Sequence, residues 1–427
     1  MVSVTTGEAG IIPTPGAREE IDLPTWPLTW VLAGFPLWWL LGIVEFIWIP
    51  AALVMALAMV RTRSLRAPRG FGIWLIFLLW AGLSVVQLND FASLPVFSYR
   101  YLVYLACAVL LLYIYNNRRS LTDRFISGVL TIWWLITVAG GYAALALPTA
   151  SVRTPMSYLV PGALLENPWI NHMVIRKLNQ YNPDSFFDLA PRPSAPFLYT
   201  NNWGSVYSLL LPFVVVYLFH SKGRRRFWFL LAALVASAVP AVATLNRGMF
   251  IGIGIAALYG ALRLALMGRT KAVVVIVAAL GLGVGIFQGL STDEALEARL
   301  EGGSTEDRAT LYVLALDAAW ESPVLGYGRT LDQSETDTRD PVGTQGQFWV
   351  LLISHGIPAT FFFVTWFLVA FVRSIRRTDP GGLAANTVLL VSIVELTFYG
   401  MIAHGLPIMM IAAGVGLRSH GYEVRHP

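Results

Sequence analysis

Two arginines far apart in the chain have the type and setting for chemistry. Arg247 sits in Thr244-Leu245-Asn246-Arg247-Gly248, between two apolar runs, Trp228–Ala243 and Met249–Met267. The runs leave almost no connection, so Arg247 lies at or just inside a membrane surface. An ionisable group there costs a few kcal/mol unless it is paired. The plain alternative is a snorkelling side chain with its head at the interface. The functional reading is an anion clamp, because guanidinium presents a planar fork of donors to oxyanions. Arg308 opens a short amphipathic run, Ser304–Trp320. Ser304 as N-cap and Asp307 at the third helical position approach a capping box. Arg308 then lies in a first helical turn, where free backbone N–H groups also favour anions. Tyr312, Leu316 and Ala319 follow it at spacings of three to four, which puts them on one face. Tyr312 joins the arginines as a candidate substrate contact.

The surrounding polar stretch, Ser291 to Gln347, contains Glu321-Ser322-Pro323-Val324-Leu325-Gly326-Tyr327-Gly328 and closes with Gly343-Thr344-Gln345-Gly346-Gln347. Its acidic residues Asp332, Glu335, Asp337 and Asp340 alternate with hydroxyls in a manner close to a calcium loop. The central glycine is missing, because Asp337 stands there, and Gly343 stands where the closing Glu belongs. A solvated loop is the expectation. The six histidines show no zinc spacing and no Ser-His-Asp order. One cysteine, Cys107, rules out a disulfide framework and a cysteine metal site. Neither a metal nor a cofactor is expected.

These groups need a scaffold, and the composition says what kind. Of 427 residues 56% are hydrophobic and 13% charged, where a soluble protein carries roughly 25% charged residues. A bilayer must solvate much of this chain. After a polar tail, 1–26, apolar runs of span length succeed one another through 27–427. They are Phe71–Leu88, Tyr101–Tyr115, Phe125–Leu147, Trp203–His220, Trp228–Ala243, Met249–Met267, Val273–Leu290, Phe348–Val372, Leu383–Ala403 and Leu406–Leu417. Pro27–Val60 precedes them and is long enough for two short spans, or for one span behind an interfacial helix. The fold expected is an all-α polytopic membrane protein of about eleven or twelve transmembrane helices in a single domain. Glu45 and Glu395 fall within apolar runs, and Glu395 with Tyr399 at i,i+4 predicts a buried hydrogen bond.

Lys and Arg orient the bundle. Arg61 to Arg69, Arg118 to Arg124, Lys222 to Arg226, Arg269 with Lys271, and Arg373 to Arg377 occupy every second connection. The positive-inside rule assigns that side to the cytoplasm. This distribution accounts for the net charge of +5 without nucleic acid. The alternate connections, including the two long loops 148–202 and 291–347, then lie outside. The first loop carries His172, Arg176, Lys177, Asp184, Asp188 and Arg192. A loop of this length is uncommon without a function. His172 and Arg176 are candidate substrate contacts, and the loop reads as a lid or as a carbohydrate platform through Trp169, Tyr181 and Phe187.

Three stretches in this order resemble the bacterial O-antigen ligase and O-antigen polymerase superfamily, membrane glycosyltransferases of the C type. Phe197-Leu198-Tyr199-Thr200-Asn201-Asn202-Trp203-Gly204 looks like the asparagine-containing start of the span after the first long loop. Thr244-Leu245-Asn246-Arg247-Gly248 looks like the family's Thr-x-Ser-Arg-Gly, with Asn246 in place of Ser. Asp307-Arg308 with Ser322-Pro323-Val324-Leu325-Gly326-Tyr327-Gly328 looks like the outer-loop Arg followed by Pro-x-x-Gly-x-Gly. The resemblance covers about two thirds of the chain. It implies a glycan donor on polyprenyl diphosphate, a glycan or lipid-anchored acceptor, and transfer with inversion at the outer leaflet of the bacterial inner membrane. Arg247 and Arg308 would hold the diphosphate, with neither metal nor cofactor. Asn202 and Asn246 would belong to the substrate site. The family's His-Asn pair, eleven residues before a helix glycine, is replaced: counting back from Gly356 gives Gln345-Gly346. Gln cannot take a proton near neutral pH, so Gln345, with Gln347, would orient the acceptor. Either another group takes the proton or the step needs little base.

Two other classes compete. A flippase of lipid-linked oligosaccharide should carry cations along a central cavity, whereas the spans here are nearly free of charge. A non-catalytic scaffold of a polysaccharide synthesis complex is suggested by Gln345 alone.

Overall fold

The structure is a computed structural model that describes residues 22–62, 65–166, 168–180, 191–290, 304–332 and 341–418. It is an all-α polytopic membrane protein. Among the described residues six helices are long and apolar enough to cross a bilayer: Phe91–Asn116, Asp123–Ala146, Thr200–His220, Arg225–Ala243, Arg247–Leu266 and Gln347–Ser374. Four shorter apolar helices accompany them, Trp48–Val60, Phe71–Gln87, Pro380–Glu395 and Gly405–Gly416. The helix Thr270–Leu290 follows Arg247–Leu266 and packs on it. Trp74, Trp133, Trp134, Trp203 and Trp366 are buried at the centre, where large flat rings fill the space between helices.

The first apolar run folds back on itself. Helices Trp26–Ala33 and Phe35–Leu41 join at Gly34, and Gly42 with φ 83° begins the turn to Trp48–Val60. Glu45 therefore sits in a turn between helices rather than inside a span. The run Leu383–Ala403 also differs from the expectation. Its helix stops at Glu395, and in the irregular segment after it Leu396, Tyr399 and Met401 are buried. The backbone there finds partners inside the protein: Gln347 N donates to Tyr399 O at 2.7 Å and Phe348 N to Leu396 O at 2.9 Å. Non-helical backbone at this depth is tolerated only under such cover.

One end of the bundle gathers the basic connections. Arg377 Nη2 lies 2.6 Å from Asp123 Oδ2, Arg418 Nη1 donates to Leu121 O at 2.7 Å, and Arg263 Nη2 donates to Ile375 O at 2.7 Å. Asn116 exchanges hydrogen bonds with the backbone of Arg66. The opposite end carries two small antiparallel strand pairs from the first long loop. Ser151–Arg153 pairs with Ile175–Lys177, and Asn179–Gln180 pairs with Arg192–Pro193. The turns that hold Arg247 and Gln347 lie at this end.

Candidate functional site

The turn that presents Arg247 is built by its neighbours. The helix Ala238–Ala243 ends at Thr244, and Leu245 takes φ +48°. A non-glycine residue pays about 1–2 kcal/mol for that left-handed conformation, and it lets the chain reverse within three residues. Asn246 is buried, donates from Nδ2 to Thr200 O at 3.2 Å, and accepts from the Tyr399 hydroxyl. Two glycines make room. A Cβ on Gly204 would lie 2.3 Å from Asn246 Nδ2, and one on Gly248 would lie 2.6 Å from the Tyr399 hydroxyl oxygen. Arg247 is exposed as the first residue of Arg247–Leu266. Beside it, Arg192 donates from Nε to Thr244 O at 2.8 Å. Sequence reasoning named Arg192 but gave it no role. Its position directly upstream of the Phe197–Gly204 stretch was the signal.

The segment Gly343–Gln347 approaches the same place from the other side. Gln347 is buried with 0% exposure. Its Nε2 donates to the Tyr104 hydroxyl at 3.2 Å and its Oε1 accepts from Met401 N at 3.1 Å. Its amide thus bridges the Phe91–Asn116 helix, at Tyr104, and the backbone of the irregular segment, at Met401. Gln345 is half-buried and folded onto its own loop. Its Nε2 donates to Pro341 O at 2.9 Å and its Oε1 accepts from Gly343 N at 3.0 Å.

The helix Ser304–Glu321 docks here through aromatic rings. Tyr312 stacks on Trp349 with centroids 4.6 Å apart at 17°, and Trp349 Nε1 donates to Thr397 O at 3.0 Å. The buried stripe of this helix is Leu311, Ala315 and Ala319. Leu316 is 46% exposed, so the face expected from its spacing is turned by part of a turn. Arg308 falls in this helix, and its side chain lies outside the described residues. Thr397–Tyr399 thus lies between the Arg247 turn, through Tyr399–Asn246, and the Arg308 helix, through Trp349–Tyr312.

The Pro-x-x-Gly-x-Gly stretch has a mechanical task. The helix Gln347–Ser374 is broken at Gly356, with φ 77° and ψ 179°, and Pro358 follows. The break strands the carbonyls just before it. Tyr327 N donates to Ile353 O at 2.8 Å, Gly328 N to Ser354 O at 2.9 Å, and Ile357 N to Pro323 O at 2.8 Å. The loop is a splint across the break. The two chains approach so closely that a Cβ on Gly326 would lie 2.3 Å from Ile353 O.

Further round the rim, Arg176 and Glu45 form a buried ion pair, Nη1 to Oε1, at 3.3 Å. His404 Nε2 lies 3.0 Å from Glu45 Oε2, off the line of a hydrogen bond. Arg176 also lines a cavity of about 90 Å³ with His172, Lys177, Gln180, Phe197 and Tyr199. Burial, with Lys177 nearby, lowers the pKa of the half-buried His172 from its ordinary value. Gln180 Oε1 accepts from Thr200 N at 3.3 Å, so this cavity and the Asn246 turn share Thr200. Asn202 is half-buried in the first turn of Thr200–His220. Glu395 is bonded by Ser208 at 2.5 Å and not by Tyr399, whose hydroxyl is turned to Asn246. Of the first loop's proposed platform, Tyr181, Phe187 and the side chain of Trp169 lie outside the described residues. So do Glu335, Asp337 and Asp340. Asp332 is exposed, 3.7 Å from Arg329.

Residues 232–364 match the family model described as O-Antigen ligase. This stretch, 232–364, is similar to an O-antigen ligase domain. No curated protein matches the chain by sequence. The match begins in the Arg225–Ala236 helix and ends beyond the Gly356 break. It therefore contains the Arg247 turn, the Arg308 helix, the splint and the Gln345 loop. Arg192, the Glu45–Arg176 pair and the Tyr399 segment lie outside the matched residues.

Proposed function

We propose that the protein is a membrane glycosyltransferase that moves a glycan from a polyprenyl diphosphate carrier to a hydroxyl of an acceptor sugar. The reading rests most on one observation. An exposed arginine, Arg247, opens a long helix at the end of the bundle opposite the basic connections, within a match to O-antigen ligases. Helix N–H groups and a guanidinium together favour a doubly charged phosphate group.

In the proposed step the acceptor oxygen attacks the anomeric carbon from the face opposite the diphosphate. The bond from that carbon to the phosphate oxygen breaks, and the electron pair leaves with the diphosphate. Arg247 and Arg308 stabilise the charge that grows there, which is where preorganised cations count most. Inversion follows from the single displacement. The acceptor's proton passes to water or to the departing diphosphate, because Gln345 offers no basic atom. Gln345 and Gln347 act by holding the loop and the Thr397–Tyr399 segment, and Arg192 by bracing the turn at Thr244. The positive-inside rule puts this end at the outer leaflet of a bacterial inner membrane.

The test is transfer by the purified protein in detergent, with a polyprenyl-diphosphate-linked glycan as donor. A longer or relocated glycan product is the expected result. A protein that only moves the carrier across a bilayer, or only scaffolds, yields none.

A further inference from the structure

Arg176 is 1% exposed at its side chain, and only part of its guanidinium is used. Nη1 meets Glu45. Among the described residues, Nε and Nη2 have no hydrogen-bond partner. These two atoms form the side edge of the guanidinium, the edge on which a carboxylate or phosphate is taken by two parallel bonds. Leaving buried donors unmet costs about 1–3 kcal/mol each, so a free bidentate edge in a folded protein calls for an occupant. Arg176 is also one of the residues that line a cavity beside this buried pair. The cavity's volume is about 90 Å³, room for several water molecules and enough for one oxyanion group. Lys177 and Gln180 are exposed at its rim, and His172 and Tyr199 add ring groups on its walls. Glu45, the acid paired with Arg176, meets it only at Nη1 and has His404 Nε2 3.0 Å from its other oxygen.

We propose that this cavity is an oxyanion subsite, in which the free edge of Arg176, assisted by Lys177, grips a carboxylate or phosphate carried by the substrate glycan. Gln180 bonds Thr200, and Thr200 bonds Asn246 beside Arg247, so the subsite lies next to the turn assigned to the diphosphate. The preferred substrate is then an acidic glycan, one bearing a uronic acid or a phosphate. That the anion belongs to the glycan rests on the transferase reading. That the cavity binds an oxyanion does not.

The experiment is binding without transfer, on the full-length protein in detergent. Sodium glucuronate, inorganic phosphate and uncharged glucose are titrated separately by calorimetry. The wild type should bind glucuronate or phosphate saturably and glucose not at all. Whichever anion binds more tightly identifies the group, carboxylate or phosphate. Arg176→Lys keeps a charge for Glu45 but loses the fork, so affinity should fall at least roughly tenfold, the equivalent of one lost charged hydrogen bond. Lys177→Ala, at an exposed position, should weaken binding several-fold with an unchanged melting temperature. Should Arg176→Lys fail to fold, Lys177→Ala and Gln180→Ala decide the matter. Absence of saturable anion binding in the wild type overturns the proposal. So does wild-type affinity in folded Arg176→Lys, or in both rim variants. A protein that binds glucuronate but transfers nothing keeps the subsite and loses the transferase reading.

Discussion

The Tyr399 hydroxyl donates to Asn246 Oδ1 across 153 residues of sequence. This bond ties the irregular segment after Glu395 to the turn that presents Arg247. Tyr399→Phe leaves a buried amide oxygen unmet, which should cost about 1–3 kcal/mol. Glycan transfer should fall further than that loss of folded protein explains, because the turn loosens. Melting temperature and transfer rate at matched folded protein check it. Stability and transfer both at wild-type level would show that the bond positions nothing.

The splint predicts which glycines are indispensable. Gly326 and Gly356 have φ of 65° and 77°, and a Cβ on either would approach backbone at 2.3 and 2.5 Å. Gly326→Ala and Gly356→Ala should each lose at least about 1–2 kcal/mol from backbone strain alone, with the overlap added. Gly254 meets nothing within 4 Å and lies inside a helix, so Gly254→Ala should gain roughly 0.5–1 kcal/mol. Thermal unfolding of the three variants in detergent measures this ordering.

Glu45 is predicted to matter to stability. Glu45→Gln leaves the Arg176 charge buried without a counter-ion, a change that typically costs 3–5 kcal/mol. The variant should melt markedly lower. A folded variant with wild-type melting would mean that water reaches Arg176.

The orientation is testable because the single cysteine, Cys107, is buried. In a cysteine-free background, a cysteine in place of the exposed Leu159 or Asp332 should react with an impermeant maleimide from outside the cell. A cysteine in place of Lys222 should react only after lysis. External labelling at Lys222 would invert the topology and remove the donor-leaflet assignment.

Much of this was legible in the chain. Among the described residues six of the apolar runs marked helices long enough to cross a bilayer and others formed shorter apolar helices, against an expectation of about eleven or twelve spans. Thr244–Gly248 was visible because two apolar runs crowd against one charged residue. The less legible features depend on contacts between distant segments. Nothing local announces that the helix after Leu383 stops at Glu395, since the residues beyond it are as apolar as a span. Their backbone is satisfied by Gln347 and Phe348, which sequence order cannot show. Gln347 was expected to orient an acceptor together with Gln345, and its bonds to Tyr104 and Met401 join segments far apart in sequence. The glycine motif entered only through the resemblance, and its bonds to the backbone beside the Gly356 break join separate segments. Arg176 was picked for its type alone, and its pairing with Glu45 joins segments 131 residues apart.

The clamp itself is tested most directly by glycan transfer from Arg247→Lys, Arg308→Lys and the double variant, purified at matched levels. Lysine keeps the charge and loses the bidentate fork. Each single variant should lose roughly two to three orders of magnitude in rate, the scale of one preorganised transition-state donor. The double variant should be little worse than either, since groups acting as a unit are not additive. Arg247 is exposed, so melting of its variant should stay at the wild-type value. Near-wild-type transfer by either folded single variant would contradict a shared diphosphate clamp.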